Sequence, residues 1–311
     1  MVNLVRLIYK HAESASSPRF RDRRAFYASQ AMADRRDLYW ELTGEKPTDP
    51  IDFLGKAKMM VGSGVEHQLV KEYIEQLHWY GVHSRGSQIP VGSSNPNIDG
   101  NLDGLLYEKK ADGKFIPFVL EIKTKSGYGA DMFYNQPVPT DEYMAQLGLY
   151  LKDLHEKKVT SRGCFLYVLL SDKHFGKLVQ VDCHYDAESN SIFATKASYS
   201  DGEERQLDVQ FNLQQVFDRL KELEKHVADK VPPKPDYQYK YPLSPEMLAE
   251  QSDYTLKAML QGHKILGDWQ PRYSKFLTKN IAFDNIERGY SDEEMQMIRK
   301  EYLTRHPKSK L

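Results

Sequence analysis

Cysteine is scarce in this chain. Two residues, Cys164 and Cys183, stand among 311, too few for the disulfide framework of a small secreted domain. Both lie in apolar, strand-like segments, the setting of buried free thiols in a reducing compartment. Long hydrophobic runs are missing too: no window approaches 18 consecutive apolar residues, so no membrane-spanning helix is expected. Met1-Val2-Asn3-Leu4-Val5-Arg6 lacks the apolar stretch and small-residue cleavage site of a secretion signal. A cytoplasmic protein, or a viral one acting in the host cytoplasm, is the expectation, with no secretion and no membrane partner. Neither sign of charge is in excess. Lys plus Arg number 43 against 44 Asp plus Glu, a net charge of −1, which argues against a protein that coats a polyanion broadly.

The chain does have enough material for one large domain or a core with appendages. Hydrophobic residues make up 40% and charged residues 28%. Residues 18–46 mix arginines with aromatics and predict one or two helices, with a break at Lys46-Pro47-Thr48-Asp49-Pro50. Val65, Leu69, Val70, Tyr73, Ile74 and Leu77 recur at helical spacing and predict a helix over 64–80. Strands are expected over 86–92, 102–108 and 116–124, then a loop marked by Gly127, Gly129, Pro137 and Pro139. A helix over 141–157 follows, capped by Thr140 or Asp141. Strands are expected at 163–170, 177–184 and 191–197, and a charged-faced helix over 208–229. Val231-Pro232-Pro233-Lys234-Pro235 is a linker, and 245–311 reads as helices. The expectation is therefore α/β: a mixed central sheet flanked by helices at 51–230. A helical N-terminal region covers 1–50, and a linker with a helical C-terminal region, 231–311, packs on the core. No internal repeat is visible.

Chemistry concentrates at 100–123. Gly100-Asn101-Leu102-Asp103 places an acid after a glycine turn, and eighteen residues later comes Val119-Leu120-Glu121-Ile122-Lys123. Residues two apart on a strand face one side, so Glu121 and Lys123 project together while Ile122 points into the core. Two carboxylates beside one ammonium can hold a hard divalent cation and activate water. Taken singly, Asp103 is also a plausible turn aspartate and Glu121 with Lys123 a cross-face ion pair.

Together these segments resemble the PD-(D/E)XK nuclease superfamily, whose core is restriction-endonuclease-like. Asp103 corresponds to its metal-binding aspartate, and Glu121 and Lys123 to the (D/E)XK pair. Gly62-Ser63-Gly64-Val65-Glu66-His67 is similar to the glycine-then-histidine motif of the RecB-like branch, which includes CRISPR-associated exonucleases. Gln146-Leu147-Gly148-Leu149-Tyr150 is similar to its QxxxY motif. The resemblance spans 62–150 and implies one or two Mg²⁺ or Mn²⁺ ions held by Asp103, Glu121 and the Ile122 main-chain carbonyl. His67 is the next ligand it implies. Glu66 comes second to His67, because Ser63 and Glu66 also have the spacing of a capping box. Gln146 and Tyr150, four apart, share a helix face and are implied to position the lysine or a phosphate.

What the resemblance implies is DNA as partner, with free ends, and hydrolysis of phosphodiester bonds. An exonuclease acting in recombination, repair or phage replication is expected. The alternatives are an inactive DNA-binding module of the same fold and a structure- or site-specific endonuclease. No P-loop pattern occurs, so unwinding would require a helicase, and an annealing protein for single strands is a further partner of the class. Arg19, Arg21, Arg23, Arg24, Arg35 and Arg36 form the densest basic region. It reads either as a solvated helix face or as a set of phosphate contacts.

Many RecB-like nucleases carry an iron–sulfur cluster on four cysteines. Here Ala33 stands where the first would lie, and Pro271 and Ser274 stand in the later W-x-C-x-x-C positions. A Cys₄ cluster is impossible at these sites, and the ends are expected to be pinned by packing alone through Trp269, Tyr273 and Phe276. The purified protein should be colourless, without visible iron absorbance; a brown preparation with stoichiometric iron would overturn this reading.

Overall fold

The computed structural model describes residues 25–49, 51, 53–68, 72–86, 89–94, 96–267, 271, 274–286 and 289–307. It comprises two compact units. One contains Ile51–Val231 with the described residues up to Ala33; the other contains Asp34–Pro50 and Pro232–Leu311.

A seven-stranded sheet forms the centre of the first unit, in the order β10-β9-β8-β7-β6-β5-β2. Its strands are β2 (Val82–Ser84), β5 (Gly104–Lys109), β6 (Phe115–Ser126), β7 (Arg162–Leu170), β8 (Leu178–Asp186), β9 (Ser191–Tyr199) and β10 (Glu204–Asn212). All pairs are antiparallel except β6 with β7. A smaller sheet joins β1 (Phe26–Tyr27), β4 (Asn97–Leu102) and β3 (Ile89–Ser94). The fold is thus mixed α/β, with a mostly antiparallel central sheet flanked by helices.

A parallel pair needs a crossover, and α3 (Gly127–Asn135) with α4 (Asp141–Glu156) supplies it between β6 and β7. Period-two alternation then gives the sheet two distinct faces. Gly163 lets α4 approach: a Cβ there would lie 3.2 Å from Leu151 and 3.3 Å from Leu147. Phe165, Tyr167 and Leu169 follow on the same face and are fully buried. The opposite face carries Cys164, Leu120, Ile122 and Leu106, packed with Ile74. Truncating a fully buried residue such as Leu151 to Ala would cost about 2–5 kcal/mol.

Three elements depart from the sequence expectation. The helix expected over 64–80 is two pieces: α2 (Phe53–Gln68) and a 3-10 segment, Ile74–Tyr80, stopped by Gly81 at φ +78°. Leu69 and Val70 lie outside the described residues, and Tyr73 is exposed. Gly62 and Gly64 therefore sit inside α2, where packing overrides their weak helix propensity. A Cβ at Gly62 would lie 3.4 Å from the Thr124 hydroxyl of β6. The glycine-marked loop after β6 is partly α3, docked by Ala130 and Phe133, three apart and both buried. Residues 204–212, taken in part as helix, are β10. Leu207, Val209 and Phe211 alternate along it, and only at Gln214 does α5 (Gln214–Asp229) begin.

In the second unit, α1 (Arg35–Leu42) starts at Asp34, whose carboxylate accepts the Arg36 and Asp37 N–H groups. The later helices are α6 (Pro245–Ala249), α7 (Asp253–Leu260), α8 (Leu277–Asp284) and α9 (Asp292–Arg305). Leu248, Leu256, Met259 and Ile298 form an apolar core shared by α6, α7 and α9. The early and late segments are joined by more than packing, which corrects that expectation. Asn280, wholly buried, accepts from Trp40 Nε1 at 2.7 Å and donates to Asp37 and to Tyr237, each at 2.9 Å. Ser274, in one of the cysteine positions, donates to Asp37 at 2.8 Å. Phe276 is buried; Trp269 and Tyr273 lie outside the described residues.

Burial pushes the Asp37 carboxyl up from 3.8 to about 6, against the pull of its Ser274 and Asn280 hydrogen bonds. A pKa raised by folding means stability that is full below about pH 4 and falls as pH rises through about 6. The loss is at most about 3 kcal/mol. Asp37→Asn should flatten this dependence in denaturant titrations at pH 4.5 and 7; parallel stability curves for variant and wild type would contradict it.

Candidate active site

Strand β6 presents Glu121, Lys123 and Lys125 on the face turned to α4, while Ile122 belongs to the opposite core. Asp103 is the single residue between β4 and β5. The antiparallel register sets Gly104 opposite Leu120, which brings Asp103 level with Glu121. Its Oδ2 accepts the Ile122 N–H at 2.7 Å, which fixes the carboxylate. Gln146 and Tyr150 come from successive turns of α4. Gly100 on β4 makes room for the tyrosine ring, since a Cβ there would lie 2.4 Å from Tyr150.

These groups are hydrogen-bonded into one network. Lys123 Nζ donates to Glu121 Oε1 at 2.7 Å and to Gln146 Oε1 at 2.9 Å. Gln146 Nε2 donates to the same Glu121 oxygen at 2.8 Å and to the Tyr150 hydroxyl at 3.1 Å. Tyr143, one turn before Gln146, lies with its ring centroid 4.7 Å from the Lys123 ammonium. Exposure is 2% for Glu121, 7% for Gln146 and 8% for Asp103. Burial raises the Glu121 carboxyl well above the usual carboxylate range; Lys123 pulls it down and Asp103 pushes it up. Burial also raises Asp103, with the Ile122 N–H and Lys123 opposing and Glu66 adding to the rise. Tyr150 is held protonated, foremost by burial and then by the Glu121 charge.

The donor set suits a hard cation. Among the described residues Glu121 Oε2 is buried without a hydrogen-bond partner, and a second carboxylate stands beside it in Asp103. Oxygen donors of this type suit Mg²⁺ or Mn²⁺, which retain several waters of their own. Among the described residues, no three His, Cys, Asp or Glu side chains form a complete ligand cluster. Asp103 and Glu121 would hold the ion, with the Ile122 carbonyl on the strand between them.

The sequence places His67 ahead of Glu66 as a ligand, and the structure sets the two differently. Glu66 lies close enough to Asp103 to push its carboxyl up, whereas His67 is exposed near the end of α2. Because Ser63 lies mid-helix, the capping-box reading of Glu66 is withdrawn as well. Arg36 is also corrected: it is 3% exposed, donates to the Pro233 carbonyl at 2.6 Å and pairs with Asp284. Arg35 pairs with Asp236 at 2.8 Å. Arg23 and Arg24 lie outside the described residues. Sequence reasoning missed Tyr143, whose signal was its spacing, three residues before Gln146.

No protein-family model and no curated protein matches the chain. Among solved structures, that of SSO0001 is 11% identical, over 76% of this chain and 90% of the other, with a TM-score of 0.37. The alkaline exonuclease LHK-Exo from Laribacter hongkongensis is 13% identical over 66% of this chain and 91% of its own, also at 0.37. In its complex with dAMP the identity is 15%, with the same coverage and TM-score.

The Gly100–Tyr150 contact has a direct consequence. Gly100→Ala forces the ring aside, at a cost of about 1–3 kcal/mol, and loosens Gln146 with it. Equilibrium unfolding should show the loss; a variant as stable as wild type would contradict the contact.

Proposed function

We propose that this chain is a metal-dependent DNA nuclease, an exonuclease acting on DNA ends in recombination, repair or phage replication. One observation carries the reading: the buried Glu121 carboxylate bonded through one oxygen to Lys123 and Gln146, its other oxygen without a partner among the described residues and Asp103 alongside. A structural ion pair satisfies its own acceptors; this one leaves an acceptor buried and unmet. The resemblance to the RecB-like branch at Asp103, Glu121, Lys123, Gln146 and Tyr150 supports the same chemistry.

A bound Mg²⁺ or Mn²⁺ would acidify water and offset the charge that builds on the phosphate. The chain's own groups perform the rest. Asp103 and Glu121 would hold the ion, with Glu66 nearby pushing the Asp103 carboxyl up. Lys123 has three N–H donors. Two are committed to Glu121 and Gln146, and the third is available to orient a water or to grip a non-bridging phosphate oxygen. Gln146 fixes both Lys123 and Glu121 at once, and Tyr150 fixes Gln146.

The test is cleavage of linear and circular DNA, single- and double-stranded, with Mg²⁺, Mn²⁺ or EDTA. Linear DNA should be degraded with either metal and spared in EDTA. Asp103→Asn, Glu121→Gln and Lys123→Met should each lower the rate by about 10²–10⁴-fold with the fold intact by circular dichroism. Cleavage of circles would replace the exonuclease with an endonuclease. Binding without cleavage under every condition would leave only a DNA-binding module.

A further inference from the structure

We propose that Lys125 is a second phosphate-binding residue, gripping the phosphate next to the scissile one along a DNA strand. The proposal rests on the nuclease reading for the identity of the strand, and on geometry for the rest.

Lys125 shares its strand face with Glu121 and Lys123, by the same two-residue alternation. Its ammonium lies 5.0 Å from the Tyr143 ring centroid and 5.7 Å from that of Phe133. Lys123 lies 4.7 Å from the same Tyr143 ring. One aromatic ring of α4 is thus flanked by two lysines from alternate positions of β6.

Their bonding differs. Lys123 is committed to Glu121 and Gln146. Among the described residues, Lys125 has neither an ion pair nor a side-chain hydrogen bond, and its stem is half-buried. Other lysines of this unit pair with an acid nearby: Lys157 with Asp153 and Lys177 with Asp201, for example. A half-buried ammonium against two rings loses hydration without gaining an anion. In keeping with this, burial pulls the Lys125 pKa down; the nearby Glu142 opposes and Lys123 reinforces that shift. An anion arriving from solvent would compensate it.

Spacing favours a phosphodiester backbone over an isolated anion. Residues two apart on a strand are separated by about 6.6 Å, comparable to one nucleotide step of an extended single strand. A lysine serves such a contact as a point charge. With Lys123 beside the scissile phosphate, Lys125 reaches its neighbour, and Tyr143 forms the wall between them.

The experiment uses the full chain carrying Lys125→Met, Lys125→Arg or no change, with a DNA duplex bearing free ends. Met keeps the apolar stem against Tyr143 and Phe133, so the melting temperature should not fall. Lys125→Met should weaken DNA binding in Ca²⁺ by about 10–100-fold at low salt and flatten the salt slope by about 0.7–0.9. Arg should restore both, and the loss in cleavage should fall on KM more than on kcat. A methylphosphonate at the phosphate beside the scissile one should weaken wild-type binding similarly and add nothing to Lys125→Met. Wild-type affinity and slope in Lys125→Met would overturn the proposal, as would a fall in melting temperature that explains the loss. If wild type binds DNA but never cleaves it while the Lys125 effect persists, the nuclease reading fails and the phosphate contact stands.

Discussion

The Glu121 carboxylate is the constraint around which the first unit is organised. At 2% exposure an isolated carboxylate would cost several kcal/mol, so its neighbours must be groups that answer it. Lys123 and Gln146 both bond one oxygen, and Gln146 is held in turn by Tyr150. Each partner requires a particular piece of backbone. Lys123 needs the two-residue alternation of β6; Gln146 needs α4 close over the sheet, which Gly163 and Gly148 permit; Tyr150 needs the bare backbone of Gly100. Among the described residues no donor reaches the second oxygen of Glu121, and the functional reading begins there.

The second unit meets a similar demand by different means. Asn280, wholly buried, commits its amide to Trp40, Asp37 and Tyr237, which draws α1 and α8 into one network. Ser274 adds a bond to Asp37 from a position where the resembled pattern has a cysteine. Hydrogen bonds in a low-dielectric interior are strong and directional, so they can join early and late segments of the chain. Arg36 belongs to this unit's interior, bonded to Pro233 and paired with Asp284.

Local, periodic features were legible. The helix expected over 141–157 is α4 at Asp141–Glu156, and the strand expected over 163–170 is β7 at Arg162–Leu170. The pairing of Glu121 with Lys123 followed from alternation, and that of Gln146 with Tyr150 from helical spacing. Features that depend on where an element starts were not. With α2 beginning at Phe53, Ser63 loses its cap role, and Glu66 rather than His67 comes to Asp103. The strand β10 was hidden because Leu207, Val209 and Phe211 run on into the helical spacing of α5.

By itself the sequence determined the alternation of β6, the helical face of α4, the scarcity of cysteine and the residue types available for chemistry. These are properties of neighbours along the chain, set by backbone periodicity. Tertiary structure alone decided that Asp103 lies level with Glu121, that Glu66 approaches it, that Arg36 is buried and that Lys125 forms no ion pair among the described residues. Those depend on strand register, helix phase and packing between distant segments, none of which any short stretch of residues encodes.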